Sequence, residues 1–148
     1  MAKRKALSGE FTPKNPSKYI GSYPITYRSS WENTAMLFFD SHPNIISWSS
    51  ESVSIPYQNP LTGRWSMYIP DFLISYIDKN GQQHAEMIEI KPLKETPGYS
   101  EKRVDARTKL VQAVNMAKWR AAQAFCAKRG IHFRVMTERD LFSYKRKS

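Results

Sequence analysis

The spacing of hydrophobic positions divides the chain into a few predicted elements. Within residues 29–40, Trp31, Ala35, Phe38 and Phe39 fall on one helical face behind Ser29-Ser30-Trp31-Glu32, which predicts a helix that His42-Pro43-Asn44 ends. Short runs rich in aromatic and β-branched residues follow at 45–48, 53–57 and 65–77, with a turn over Asn59-Pro60-Leu61-Thr62-Gly63. These predict strands arranged as a meander. Residues 85–90 predict another strand, stopped by Pro92. From about residue 105 to 128 a long helix carries the stripe Leu110, Val114, Ala117, Ala121 and Phe125, with Gly130 as its C-cap. A last strand is predicted over 131–136, and Thr137-Glu138-Arg139-Asp140 offers the N-cap of a short final helix.

Two stretches lack such spacing. Residues 1–27 hold Gly9, Gly21, Pro13, Pro16 and Pro24 and read as an extended arm, although Tyr19, Ile20 and Tyr23 are able to pack down. Residues 93–103 are polar, contain Pro97 and Gly98, and read as a loop or lid. The order is helix, three or four strands, helix, strand, an α/β (α+β) pattern. Residues 28–148 are expected to form a single domain ending in a short basic tail.

Composition narrows the function. With 41% apolar and 13% aromatic residues in 148, the chain is not disordered as a whole. It has no apolar run near the roughly 20 residues of a spanning helix and no secretory signal, so a soluble, intracellular protein is expected. Cys126 is the sole cysteine, which excludes an intrachain disulfide and a multi-thiol zinc site and leaves a small buried hydrophobe. The net charge of +10 points to a polyanionic partner. Lys3, Arg4, Lys5, Lys145, Arg146 and Lys147 supply six positive charges, leaving +4 for everything between them. Each tail reads equally as a solubility feature or as a loose nucleic-acid arm.

The candidate chemistry lies on a predicted hairpin. A three-residue loop, Lys79-Asn80-Gly81, with the glycine left-handed, closes Asp78 against Gln82 and brings Asp71 opposite Glu89. Opposite residues project on one side of a sheet, with Cβ atoms about 4.5 to 5.5 Å apart. Lys91 shares that side, while Phe72, Ile74, Tyr76, Ile88 and Ile90 point into apolar packing. A two-residue loop, Asn80-Gly81, would slip the pairing by one and separate the carboxylates. Two adjacent carboxylates require a cation or a raised pKa, and hard oxygen ligands favour Mg²⁺. Beside such an ion Lys91 is able to hold or deprotonate a water and offset charge on a pentavalent phosphorus. The competing reading is a carboxylate–lysine ion pair on an exposed face.

Pro70-Asp71, an 18-residue step and Glu89-Ile90-Lys91 together resemble the PD-(D/E)xK nuclease signature. Tyr27-Arg28-Ser29-Ser30-Trp31-Glu32, Ile69-Pro70-Asp71-Phe72, Ile88-Glu89-Ile90-Lys91-Pro92 and Thr137-Glu138-Arg139-Asp140-Leu141 resemble its TnsA-type endonuclease branch. The arm from Phe11-Thr12-Pro13-Lys14-Asn15-Pro16 to Lys18-Tyr19-Ile20-Gly21, joined to Tyr27-Arg28-Ser29, resembles the head-completion nucleases of T-even-like tailed phages. The resemblance implies a restriction-endonuclease-like core, with a central mixed sheet of four to five strands flanked by helices. It also implies metal at Asp71, Glu89 and the Ile90 carbonyl, with Lys91 at the attacking water. Mg²⁺ would be the cofactor, with Mn²⁺ substituting. Glu32 matches an acidic residue that reaches the metal, often through water, although Ser29-x-x-Glu32 is also a capping box. Implied partners are double-stranded DNA and phage portal or neck proteins. The implied setting is the bacterial host cytoplasm during assembly, with retention in the virion.

Other residues carry weaker signals. His42, His84 and His132 lack metal-ligand spacing and read as surface or packing residues; Ser29 and Ser30 have no partnered triad; no glycine-rich phosphate loop exists. The glutamine–tyrosine helix motif of RecB-like nucleases is not evident. Lys94, Lys102, Arg103 and Arg107 follow the active strand and are candidate DNA-phosphate contacts. Trp119, Arg120, Lys109, Lys118 and Lys128 fit either a DNA groove or a solvated helix face. The favoured expectation is an endonuclease acting on duplex DNA in phage assembly. A structural neck or adaptor protein that keeps a nuclease fold, and a TnsA-like transposition subunit, are the alternatives.

Overall fold

A computed structural model describes residues 8–96 and 105–141. The charged tails at 3–5 and 145–147 and the Pro97–Gly98 part of the expected lid lie outside them. Strands β1 (Gly9–Phe11) and β2 (Ile25–Tyr27) pair antiparallel, joined by a segment holding a 3-10 turn at Pro16–Lys18. Helix α1 (Ser30–Ser41) follows, then β3 (Ile45–Ser50), β4 (Ile55–Gln58), β5 (Trp65–Tyr68), β6 (Phe72–Ile77) and β7 (Gln83–Ile90). Helix α2 (Ala106–Ala127) leads to β8 (His132–Met136).

The central sheet has the order β3-β6-β7-β8, with β7 and β8 parallel and the other pairs antiparallel. This four-stranded mixed sheet flanked by helices matches the expected restriction-endonuclease-like class. The strands do not run as a meander, however. Pro70, which has no backbone N–H to give a ladder, falls between β5 and β6 in the run 65–77. β4 and β5 form a separate two-stranded sheet, so β3 pairs with β6.

One face of the sheet carries Trp48, Phe72, Ile74, Ile88, Ile90 and Met136 against α1 and the first segment. Ser29 starts α1 by accepting the Glu32 N–H at 3.2 Å, a cap worth about 1 kcal/mol. The helix buries Trp31, Ala35, Met36 and Phe39. Phe38, expected on that stripe, is only half-buried because Met36 takes the inner position. Within residues 8–27, Phe11, Tyr19 and Ile25 enter the same core. Asp40 ties this segment down by accepting from the Lys14 and Asn15 N–H groups at 2.9 and 3.0 Å.

The opposite face buries Met87 and Phe133 beneath α2 and the β4–β5 hairpin. The buried stripe of α2 is rotated from the expected one. It runs through Asn115, Trp119, Ala122 and Cys126, while Val114, Ala117, Ala121 and Phe125 flank it and Leu110 is exposed. The helix turns its large indole and small alanine inward, against Met87 and the hairpin. Trp119 is therefore a core residue and cannot line a DNA groove. Cys126 is buried as expected, its thiol 3.7 Å from Met87 Sδ.

Candidate active site

The β6–β7 turn fixes which residues meet. Asp78 accepts the Gly81 N–H, the Asp78 N–H reaches the Gln82 carbonyl, and Gly81 has φ of +79°. This is the three-residue loop with a left-handed glycine, and its register pairs Ile77 with Gln83 and Phe72 with Ile88. The next pair outward is Asp71 and Glu89. The Asp71 carboxylate accepts the Ile90 N–H at 2.8 Å, and its carbonyl accepts the Glu51 N–H at 2.9 Å. N–H and C=O of one strand residue point the same way, so the Ile90 carbonyl is turned toward Asp71 as well.

Glu51, which fixes the Asp71 backbone, has a left-handed φ of 51°, unusual for a residue with a side chain. Its carboxylate pairs with the Arg28 guanidinium, which links this bend to the start of α1.

Burial sets the electrostatics. Glu89 is 5% exposed; Tyr68 Oη donates to its Oε1 at 2.8 Å and Lys91 Nζ lies 3.7 Å from Oε2. Desolvation still pushes the Glu89 carboxyl above its ordinary pKa, against the opposing pull of Lys91, Tyr68 and Lys118. Asp71 is pushed well up, first by desolvation and then by the Glu89 charge; the Ile90 N–H opposes this and Glu32 adds to it. The competing view of an exposed ion pair does not fit a buried Glu89 beside a half-buried Asp71 and Lys91.

Glu32 is also buried, at 5% exposure. Its Oε1 accepts the Arg28 N–H at 3.1 Å, and Oε2 lies 3.3 Å from Ser29 Oγ. It thus completes the helix cap while standing within electrostatic reach of Asp71. Among the described residues no three His, Cys, Asp or Glu side chains are gathered closely enough to hold a metal ion by themselves. The donors near the Asp71–Glu89 pair suit a hard divalent ion that completes its shell with substrate oxygens and water.

Of the candidate phosphate contacts, Lys94 is exposed in a 3-10 turn (Leu93–Glu95) and Arg107 is exposed in the first turn of α2. Gln112 and Asn115 pin that 3-10 turn to α2 by donating to the Lys94 and Glu95 carbonyls. Lys102 and Arg103 lie outside the described residues. Lys109, Arg120 and Lys128 are exposed. His42, His84 and His132 stand apart from the site, His84 pairing with Asp78 at 2.6 Å.

Two neighbours of Glu89 were not singled out for the site by sequence reasoning. Tyr68 comes from β5, outside the central sheet. Lys118 comes from α2, its Nζ 5.8 Å and 5.7 Å from the ring centres of Tyr57 and Tyr68. The sequence offers Lys118 for a DNA groove or a solvated helix face, and the structure half-buries it.

Comparison with known proteins identifies the family. A family model described as the TnsA-like endonuclease N terminal matches residues 42–138, which include Asp71, Glu89 and Lys91 but not Glu32. The chain is 41% identical over 145 residues to the head completion nuclease of Enterobacteria phage T4, covering 92% of this chain and 94% of that protein. The family implies a divalent metal cation. With a family match over residues 42–138 and a relative matched over most of its length, the chain belongs to the TnsA-like endonuclease family.

Proposed function

We propose that the protein is a Mg²⁺-dependent DNA endonuclease that completes phage heads, finishing the packaged DNA end before the tail joins. The observation that carries the site is the pairing of two desolvated carboxylates, Asp71 and Glu89, with Lys91 on the same side. The likeness to a head completion nuclease supports the setting: host cytoplasm during assembly, with portal or neck proteins as partners and retention in the virion. No described helix is long and apolar enough to cross a membrane.

In this reading Asp71, Glu89 and the Ile90 carbonyl would hold Mg²⁺, or Mn²⁺ in its place, with Glu32 as a further acidic group that would reach it through water. Such an ion would supply Lewis acidity to the phosphodiester. The Ile90 N–H keeps the Asp71 carboxylate aimed, and Tyr68 holds one oxygen of Glu89 so that the other faces Lys91. Lys91 orients the attacking water and offsets the charge that gathers on the phosphoryl oxygens. One P–O bond forms from water while the bond to a sugar oxygen breaks. Lys94, Lys102, Arg103 and Arg107 take flanking phosphates.

The test is incubation with plasmid DNA and Mg²⁺, beside Asp71→Ala and Lys91→Ala. Wild-type cutting that both variants lose is expected. Persistent cutting by both variants would sink the site. No cutting by any form, under varied metal and salt, would favour a structural neck protein.

A further inference from the structure

Helix α2 carries Arg107, Lys109, Lys118 and Arg120 and no acidic residue. Three of these cations are solvated. Lys118 is different: it is half-buried, and its ammonium faces the Tyr57 and Tyr68 rings between the β4–β5 hairpin and the helix. No carboxylate of the described residues lies within ion-pair distance of it. Glu89 attracts it from farther away and Lys91 repels it. Removing an ammonium from water without a carboxylate partner is costly, and two aromatic faces compensate only in part. A half-buried ammonium so placed attracts an anion.

The neighbours say which anion. Tyr68 presents its ring to Lys118 and its hydroxyl to Glu89, so one side chain joins the slot to the carboxylate pair. Glu89 has Lys91 beside Oε2, and Lys118 also acts on it. Taking the proposed nuclease site as given, we infer that Lys118 is a substrate-binding residue whose ammonium takes a phosphate oxygen of the DNA strand held at Asp71 and Glu89. The two rings aim it, and the compact charge of a lysine suits a single phosphate oxygen.

The test uses the full chain with Lys118→Met, which keeps the apolar stem, and Lys118→Arg, which keeps the charge. Binding of a labelled duplex is followed by fluorescence anisotropy in EDTA at several salt concentrations, and cleavage kinetics are followed in Mg²⁺. Lys118→Met is expected to weaken binding roughly tenfold and to lower the salt dependence by about one released counterion. KM should rise more than kcat falls, and Lys118→Arg should recover most of the binding. Unchanged affinity and salt slope in Lys118→Met would overturn the inference. So would a fall in kcat alone, which would make Lys118 a positioning residue for Glu89. If Lys118→Met melts early, Lys118→Gln is measured by the same criteria. Failure of the nuclease reading is separate: Asp71→Ala would then cut like wild type, whatever the anisotropy gives.

Discussion

Asp71 accepts the Ile90 N–H at 2.8 Å across the open end of the β6–β7 hairpin, so a carboxylate serves where the next backbone rung would be. The geometry of the candidate site and the sheet register are thereby one feature. The Asp71–Glu89 pairing is carried back to the turn at Lys79-Asn80-Gly81, several residues away.

That dependence makes Gly81 a stability position. At φ of +79° a Cβ is strained even in open space. Thermal melts should rank glycine at or above asparagine, then alanine, then valine, with Gly81→Val losing about 1–2 kcal/mol. Equal melting of all four forms would contradict the left-handed turn.

The raised carboxyls make the metal-free protein's stability depend on pH. Because the folded pKa of Asp71 lies above its ordinary value of 3.8, folding favours the protonated form. The contribution of Asp71 is full below that value and is lost as pH rises through the raised one. In EDTA the melting temperature should fall over this window, and Asp71→Asn should flatten the fall. Divalent metal, which needs both carboxylates ionised, should stabilise more as pH rises. A melting temperature in EDTA that is identical across the window for wild type and Asp71→Asn would refute the assignment.

Tyr68→Phe removes the hydroxyl that donates to Glu89 while keeping the ring beside Lys118. Hydrogen bonds to charged groups contribute about 1.5–3 kcal/mol, so Glu89 should ionise less readily. Cleavage should drop roughly tenfold or more near neutrality and its acid limb should move to higher pH. An unchanged pH–rate profile would remove Tyr68 from the site.

Glu32→Gln separates capping from metal chemistry. Glutamine keeps one oxygen to accept the Arg28 N–H, and its amide NH2 is able to donate to Ser29 Oγ, but it loses the charge that acts on Asp71. If Glu32 serves the metal, cleavage falls by roughly tenfold or more with melting changed by less than about 0.5 kcal/mol. Full activity would leave Glu32 a helix cap.

Much of this was legible in the sequence because its causes are local. The turn residues set the hairpin register, and the alternation of Phe72, Ile74, Ile88 and Ile90 set which side faces the core. The β4–β5 excursion was not legible, since the aromatic and aliphatic residues on both sides of Pro70 suit one long strand as well as two in different sheets. Nor was the α2 stripe, since alanines at 117, 121 and 122 suit either face equally.

The sequence by itself determined the α/β order of elements and the facing of Asp71, Glu89 and Lys91, because a turn and a two-residue period act over a few neighbours. Only the tertiary structure decided what surrounds them. Desolvation, the Tyr68 hydroxyl, the Lys118 ammonium and the reach of Glu32 come from a second sheet and two helices, and their convergence depends on packing between elements distant in the chain.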